Sequence, residues 1–430
     1  MGLDCGAGLD TIVWIWVNPT PEIRVIVSDD EICNEDFINL FVRNPNVPAI
    51  GDWKYNLTVD YGTDITGDNI GGEYDATDVA LTDQLTNHDT MYHYVDYLFT
   101  PRISPIDLGT DCGNGIDTTI RVWVNPTPAI RVHAQDSILC NGDSAIIEIA
   151  NPNAFVSGYW EYNLVVNPDP EITGARPNVD GITDTLLIDP LINTDTIVHK
   201  VEYTFTPTKT PDPDICAGGN DTTIVIWVNP TPEARVTVSD TVLCDGDYVR
   251  LDLRNPNVPI RGDWQGNVET IVDPGITGIL PGWSQPFTDD AYWEFNLGNT
   301  ANVAQSVTFI FTPRILEEYG GFCDNGIVTT VVVWVNPVPD IDVVPTDTLI
   351  CNEEMAEFKV NSLNPDVEGE WYYALDVDPD AEITGARGNS IYPLDSILIQ
   401  DVLTNTDTIA HKVVYHFIPR IGPSDFQGDC

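Results

Sequence analysis

The sequence predicts an all-β chain: a tandem array of immunoglobulin-like β-sandwich domains strung into an elongated rod. Three observations predict it. The chain repeats with a period of about 107 residues, its apolar runs are short and alternate with polar residues, and one Pro-x-Pro phrase recurs at the edge of every copy.

The cysteines set the ruler. Cys5, Cys112, Cys216, Cys323 and Cys430 form one series, with steps of 107, 104, 107 and 107 residues. Cys33, Cys140, Cys244 and Cys351 form a second, stepping 107, 104 and 107. Other landmarks keep the same beat. They are the Gly-x-Trp tryptophans Trp53, Trp160, Trp264 and Trp371, the Asn-Pro pairs at Asn44, Asn151, Asn255 and Asn364, and an Ile-Thr-Gly triplet at Ile65, Ile172, Ile276 and Ile383. An aromatic-x-Phe-x-Pro phrase recurs at Tyr97, Tyr203, Phe309 and Tyr415.

Within one period the runs IRVIV, FINLFV, YNLTV, YVDYLF and TIRVWV alternate in polarity and are rich in β-branched and aromatic residues, the pattern of half-buried strands. Asn-Pro, Asp-Pro and glycine-containing turns separate them. About seven short strands in about 105 residues is the signature of an immunoglobulin-like sandwich. The Gly-x-Trp strand comes third, where such a sandwich buries a tryptophan; a carbohydrate-stacking face is the rival use of these rings.

The phrases WVNPTP (Trp16, Trp123, Trp227) and WVNPVP (Trp334) place the boundaries. Proline fixes φ and lacks a donor, so no sheet is expected to run across the step, and two prolines one residue apart hold an extended spacer. The expected organisation is residues 1–18 as the last strand of a preceding repeat, then repeats at 19–126, 127–230, 231–337 and 338–430, the fourth lacking its last strand. The segment then reads as a window cut from a longer array, with four repeats spanning about 150 Å.

Composition narrows the function. With 67 acidic residues against 18 basic ones, a net charge of −49, the surface repels nucleic acid and anionic membranes. No stretch of about 18 apolar residues offers a membrane span. No secretory leader is read at the N-terminus, where the Met-Gly start looks like the edge of a window.

Two cysteines per repeat and only five lysines indicate an oxidising, extracellular setting. The series-one cysteine sits in the F–G loop and the series-two cysteine in the A–B loop, at opposite poles of a sandwich about 25–30 Å tall. A disulfide needs Cα atoms within about 7 Å, so a pair inside one domain, Cys33–Cys112, is awkward. Domains stacked end to end instead predict junction staples, Cys33–Cys216, Cys140–Cys323 and Cys244–Cys430, with Cys5, Cys112 and Cys351 left for neighbours. Pairs spaced 28 residues apart, such as Cys112–Cys140, remain the third scheme.

No catalytic constellation stands out. There is no GxSxG, HExxH, P-loop or nucleotide-binding glycine pattern. His93, His199 and His411 share one repeat position, but the third repeat has Gln305 there, so no common chemistry depends on it; an exposed strand residue is the expectation. Calcium is the one cation the acidic clusters could hold, at Asp29-Asp30, Asp212-Pro213-Asp214 and Asp376-Val377-Asp378-Pro379-Asp380, yet none keeps its register through the repeats. No cofactor is expected.

Together the WVNPTP phrase, the CNGD run at Cys140, the Gly-x-Trp strand and the closing Cys…DTTIxVWVNP resemble PKD-like repeats of very large Bacteroidota surface proteins, including gliding-motility adhesins exported by the type IX secretion system. The third repeat departs most, with LPGWSQPFTDDAYWEFNLGN at residues 280–299, and the acidic-glycine motif of central PKD strands is missing. The resemblance implies a non-enzymatic stalk or adhesin segment at the bacterial cell surface. Its partners would be neighbouring repeats, a filament of its own kind, and an external surface or glycan. A carbohydrate-binding accessory region of a secreted hydrolase is the alternative. The recurring Asp-Ser/Thr-apolar pattern resembles the O-glycosylation acceptor of Bacteroidota secreted proteins. It nominates Thr11, Thr90, Thr118, Ser137, Ser144, Thr185, Thr196, Thr222, Thr241, Thr348, Ser396 and Thr408. The same pattern is also an ordinary turn exit before a strand.

Overall fold

In the computed structural model the described residues are 8–75, 79–104, 111–113, 115–210, 216, 219–318, 321–393, 398–422 and 430. All regular structure among them is β. The chain forms two compact units: residues 1–137, 144–191 and 200–226 in the first, and residues 138–143, 192–199 and 227–430 in the second. The division runs through the second repeat, so each unit contains at least one complete joint between consecutive repeats.

The first unit opens with repeat 1, which shows how the sequence builds a sandwich. Strand β1 (Arg24–Val27) pairs antiparallel with β3 (Phe37–Arg43), which pairs with β7 (Val79–Gln84). The second sheet runs β2 (Glu31–Ile32), β10 (Thr118–Val124), β9 (His93–Ser104), β4 (Asp52–Tyr61), β6 (Gly72–Tyr74). A small pair, β5 (Ile65–Thr66) with β8 (Thr86–Asn87), closes one edge. The first strand is therefore split. After a turn at Ser28–Asp30 the chain changes sheets, and β2 joins β10 in parallel, Trp123 opposite Glu31 and Val124 opposite Ile32. This switch puts Cys33 directly beyond the last strand's end.

The alternation read from the sequence is realised as burial. Ile38, Leu40 and Val42 of β3 face Tyr55, Val95, Tyr97, Phe99, Val122 and Val124 of the other sheet, all fully buried. Each such side chain contributes about 1.5–3 kcal/mol on leaving water. Repeat 2 supplies the same three-stranded sheet to this unit, from Arg131–Ala134, Ser144–Ala150 and Leu186–Pro190. Its Tyr159–Pro168 strand pairs with His199–Thr210 along the register Tyr159 to Thr210 through Pro168 to Val201.

The second unit contains repeats 3 and 4. In repeat 3, Arg235–Val238, Asp247–Arg254, Ala291–Asn299 and Ile276–Thr277 form one sheet. Val242–Leu243, Thr329–Val335, Gln305–Leu316, Asp263–Val272 and Ser284–Phe287 form the other. The divergent stretch at 280–299 thus supplies strands at the usual places, with Ala291–Asn299 running unbroken where repeat 1 has β7 and β8. In repeat 4, Ile341–Pro345, Met355–Ser362 and Leu398–Val402 make one sheet, and Ser390–Pro393, Glu370–Pro379 and Val413–Gly422 the second.

The Gly-x-Trp tryptophans are core residues: Trp53, Trp160, Trp264 and Trp371 are each buried. Their glycines, Gly51, Gly158, Gly262 and Gly369, all adopt positive φ, a region costly for other residues, which turns the chain into the third strand. The buried positions leave no row of these rings for sugar stacking. Repeat 3 also shows how a core tolerates divergence. Buried Asp83, Asp189 and Asp401 accept the hydroxyls of Tyr97, Tyr203 and Tyr415, at 2.8, 2.9 and 2.8 Å. At the matching positions repeat 3 carries Phe295 and Phe309, whose rings pack 5.5 Å apart. Donor and acceptor were replaced together, so no buried polar group was orphaned.

Candidate functional site at the joints between repeats

No strand includes residues 125–130, 229–234 or 336–340. These Pro-x-Pro segments are nonetheless held by side chains, and three conserved positions within the repeat do the holding. The first is the asparagine that follows the last strand. Asn229 receives a hydrogen bond from Arg261 N at 2.8 Å and donates to Arg261 O at 2.9 Å; Asn336 treats Glu368 in the same way, both at 2.8 Å. Asn125 accepts from Val156 N at 2.9 Å and donates to the Glu31 carboxylate at 2.7 Å. Its backbone N–H caps Ile32 O at 2.8 Å, as Asn229 caps Leu139 and Asn336 caps Leu243. All three are buried, where an amide must find partners, and each does.

The second position is an asparagine in the following repeat's second loop. Asn153 accepts from Ala129 N at 2.6 Å and donates to Thr127 O and to Thr90 O in the preceding repeat. Asn257 repeats this with Glu233 N, Thr231 O and Thr196 O, and Asn364 with Asp340 N, Val338 O and Asn302 O. This corrects one reading of the sequence. Asn364-Pro365 does not keep the beat of Asn44-Pro45: Asn364 stands thirteen residues after Cys351, as Asn46 does after Cys33, and it plays the part of Asn46, Asn153 and Asn257. Ser362-Leu363 stand where the other repeats have Asn-Pro, and Leu363, with the N–H that proline lacks, donates it to Asp340 O at 3.0 Å. Trp53, Trp160 and Trp264 donate their indole N–H to the matching carbonyls of Glu22, Ala129 and Glu233, whereas Trp371 Nε1 finds no acceptor among the described residues.

The third position is the cysteine beyond β2 and its counterparts. The structure joins Cys33 to Cys216, Cys140 to Cys323 and Cys244 to Cys430, with Cα–Cα distances of 5.2, 5.3 and 5.1 Å. Each bond ties one repeat to the F–G loop of the next; the same-domain and 28-residue pairings are not formed. The F–G loop reaches this place by lying on the Pro-x-Pro segment of its own repeat. Ile116 N donates to Pro21 O and Ile327 N to Pro232 O, each at 2.9 Å. At Gly219 the approach is so close that a Cβ would stand 1.7 Å from Pro128 O, so only glycine fits. Asn34 and Asn141, beside the cysteines, donate to Thr127 and Thr231 of the linkers at 2.8 and 2.7 Å. Cys112 and Cys351 are unpaired; Cys5 lies outside the described residues.

The joint between repeats 1 and 2 differs by one ion pair that the sequence reading missed. Lys209, buried, places its Nζ 2.9 Å from Glu31, which also accepts from Asn125 and from Ser157 at 2.8 Å. Burial alone would raise the Glu31 pKa. Hydrogen bonds from Lys209, Asn125 and Ser157, with the Lys209 charge, outweigh it and hold the carboxylate below its ordinary value. The positions matching Lys209 in the other repeats are buried isoleucines, Ile103, Ile315 and Ile421. That lone break in an apolar repeat position was the available signal.

The shared histidines are half-buried rather than exposed strand residues. His93, His199 and His411 each sit 3.1 Å from an aspartate four residues earlier, Asp89, Asp195 and Asp407. The aspartates also accept the backbone N–H of Thr90, Thr196 and Thr408, each at 2.6 Å. The result is a turn cap, and Thr90 O and Thr196 O of that cap are the carbonyls gripped by Asn153 and Asn257. Hydrogen bonding to Asp407, against a small burial effect and aided by Glu382 and Asp380, raises the His411 pKa above 6.5.

Among the described residues two groups bring three ligand-type atoms together: Cys140, Glu317, Cys323 and Asp64, Asp89, His93. The first is consumed by a disulfide. Neither contains Asp29, Asp30, Asp376, Asp378 or Asp380, and Asp212 and Asp214 lie outside the described residues. Of the nominated acceptors, Thr11, Thr90, Ser137, Ser144, Thr185, Thr241, Thr348 and Thr408 are exposed; Thr118, Thr196 and Thr222 are half-buried; Ser396 lies outside the described residues. Among the described residues no helix is long and apolar enough to cross a membrane.

Comparison with solved structures finds several chains of similar kind. The Escherichia coli adhesin FdeC has a TM-score of 0.31 and 12% identity, over 74% of this chain and 99% of its own. The FN1–FN3 domains of chicken CNTN1 give 0.25 and 11%, over 74% and 100%. Invasin, a bacterial integrin-binding protein, gives 0.26 and 13%, over 93% and 79%. A search of the curated proteins finds no match. Residues 137–232, most of the second repeat and the start of the linker after it, match the model of the PKD-like domain.

Proposed function

We propose that the chain is a non-enzymatic spacer, a stapled segment of a large secreted surface protein or fibre that gives reach and stiffness to adhesion or gliding. One observation carries this reading: three disulfides, each crossing a joint, with the linker hydrogen-bonded on both sides of the crossing. A joint built to bend would leave its backbone to solvent; here linker carbonyls and N–H groups are answered by half-buried Asn153 and buried Asn257 and Asn364. The PKD-like match supports the same class. The histidines and buried aspartates are engaged in caps and core pairs, which leaves no role for them in turnover, and the reading includes no cofactor. The disulfides suit an extracellular site. Type IX export, glycosylation at the exposed Asp-Thr turns and a Bacteroidota source are the finer parts of this proposal.

The test is electron microscopy of native cell surfaces labelled with antibody to these repeats. Labelled surface fibres are expected. Label confined to the cell interior, or hydrolysis of a polysaccharide by the purified chain, would overturn the reading.

A further inference from the structure

We infer that the joint between repeats 1 and 2 is a self-modification site: Lys209 Nζ attacks the side-chain amide of Asn125, with Glu31 as the base, and closes an isopeptide bond across the joint with release of ammonia. This goes beyond the spacer reading and can fail separately from it, since a chain that keeps its free lysine is still held by its disulfides.

The nucleophile is an unusual lysine. The chain has five in all, against a net charge of −49, and this one alone is buried, at 3% exposure. The alternation of His199–Thr210 turns it inward, opposite the buried Trp160 in the sheet register. Its sister positions hold Ile103, Ile315 and Ile421. An ammonium has three protons to place. Among the described residues its partner is Glu31, whose Oε1 lies 2.9 Å from Nζ. A lysine removed from water beside a general base is set up to act as a nucleophile.

The electrophile departs from its own counterparts in the direction the reaction needs. Asn229 and Asn336 donate their amide nitrogens to backbone carbonyls, Arg261 O and Glu368 O. Asn125 donates instead to Glu31 Oε1, at 2.7 Å, the same oxygen that receives Lys209 Nζ. Two bonds ending on one atom keep the amine and amide nitrogens no farther apart than those bonds laid end to end. The amide oxygen accepts the Val156 N–H at 2.9 Å, which polarises the carbonyl and faces the charge of a tetrahedral intermediate. Asn125 is fully buried, so water does not compete for its carbon. Position 31 completes the comparison, since Ile138 and Val242 stand there in repeats 2 and 3. An ion pair alone accounts for the glutamate and the lysine; the turned amide supplies the carbon to be attacked.

The step balances without an added reagent. The Glu31 carboxylate, held ionised by its hydrogen bonds, takes a proton from the Lys209 ammonium. The freed nitrogen bonds to Asn125 Cγ, Glu31 passes its proton to Nδ2, and the Cγ–Nδ2 bond breaks. The departing ammonia removes the surplus proton from the new amide, so one ammonium ion leaves and the carboxylate is regenerated. The event occurs once per chain, so an uphill proton transfer that makes it slow is no obstacle. The ion pair described above is the reactant, and the chain in this structure is the unreacted one. The product spans the joint that Cys33–Cys216 also crosses, but a reductant does not open it.

The experiment ages the full oxidised chain at neutral pH for days, then reduces it and reads intact mass and tryptic peptides. A loss of one ammonia is expected, with a branched peptide joining Asn125 to Lys209 and no cleavage after Lys209. Glu31→Ala should stop the loss while circular dichroism and the Cys33–Cys216 peptide show that the variant is folded. Lys209→Arg, which keeps the charge, should stop it too, so the test survives if Glu31→Ala does not fold. A wild-type chain that keeps its full mass and a cleavable Lys209 overturns the proposal. So does a loss of one water with Lys209 joined to Glu31, or an Asn125–Lys209 peptide that forms as fast in Glu31→Ala.

Discussion

At Lys209 the chain buries an ammonium where its sister repeats bury isoleucine, and the fate of Glu31 depends on it. Lys209→Ala should lower the unfolding free energy by about 3 kcal/mol, the cost of leaving a partly buried carboxylate without its cation. The pair Glu31→Ile with Lys209→Ile, copying Ile138 and Ile315, should recover most of it; urea unfolding of the single and double variants checks this. The pH dependence has a definite sign. A lowered folded pKa means the Glu31 contribution is present above its ordinary value of 4.5 and fades as pH falls through the lowered value. His411 runs the other way. Its raised pKa makes its contribution complete below 6.5 and lost as pH rises through the folded value. An NMR titration should place His411 above 6.5, and His411→Gln, the residue repeat 3 already uses, should remove that pH dependence from the turn.

Among the elements, the linkers are held by few atoms. Asn153 holds Ala129 N, Thr127 O and Thr90 O, the last shared with Ala154 N. Asn153→Ala should cost about 1–3 kcal/mol and speed amide exchange at Ala129, read by hydrogen–deuterium exchange. The long alternating strands and the buried tryptophans were legible in the sequence because alternation and turn residues are local properties; the short strands that bring repeat 1 from about seven strands to ten were not. The switch of β2 to the opposite sheet was not, since two residues carry no period. The role of Asn364 was legible by counting thirteen residues from Cys351, as from Cys33 to Asn46; matching the dipeptide Asn-Pro instead placed it two positions out of register. The Glu31–Lys209 contact left one signal, the break in an apolar repeat position at Lys209, but its partner is far away in sequence and neither residue recurs.

For the whole molecule, a length argument was enough to favour cysteine pairing across joints, because a sandwich is too tall for its two loops to meet. Each bond closes a loop of more than 180 residues, with separations of 183, 183 and 186. Cys140→Ser with Cys323→Ser should therefore lower the melting temperature of the oxidised chain, the bond contributing about 2–4 kcal/mol, and calorimetry measures it. The three loops also overlap, and this changes what a pulling force meets. A load applied at the two termini crosses from Cys33 to Cys216, follows the backbone to Cys244, and crosses again to Cys430. Between those outer cysteines only residues 216–244 can lengthen, to a contour of about 100 Å, against about 1,400 Å for the same span once reduced. Stretched by an atomic force cantilever, the oxidised protein should behave as a short, nearly inextensible cable even if every sandwich along it has melted.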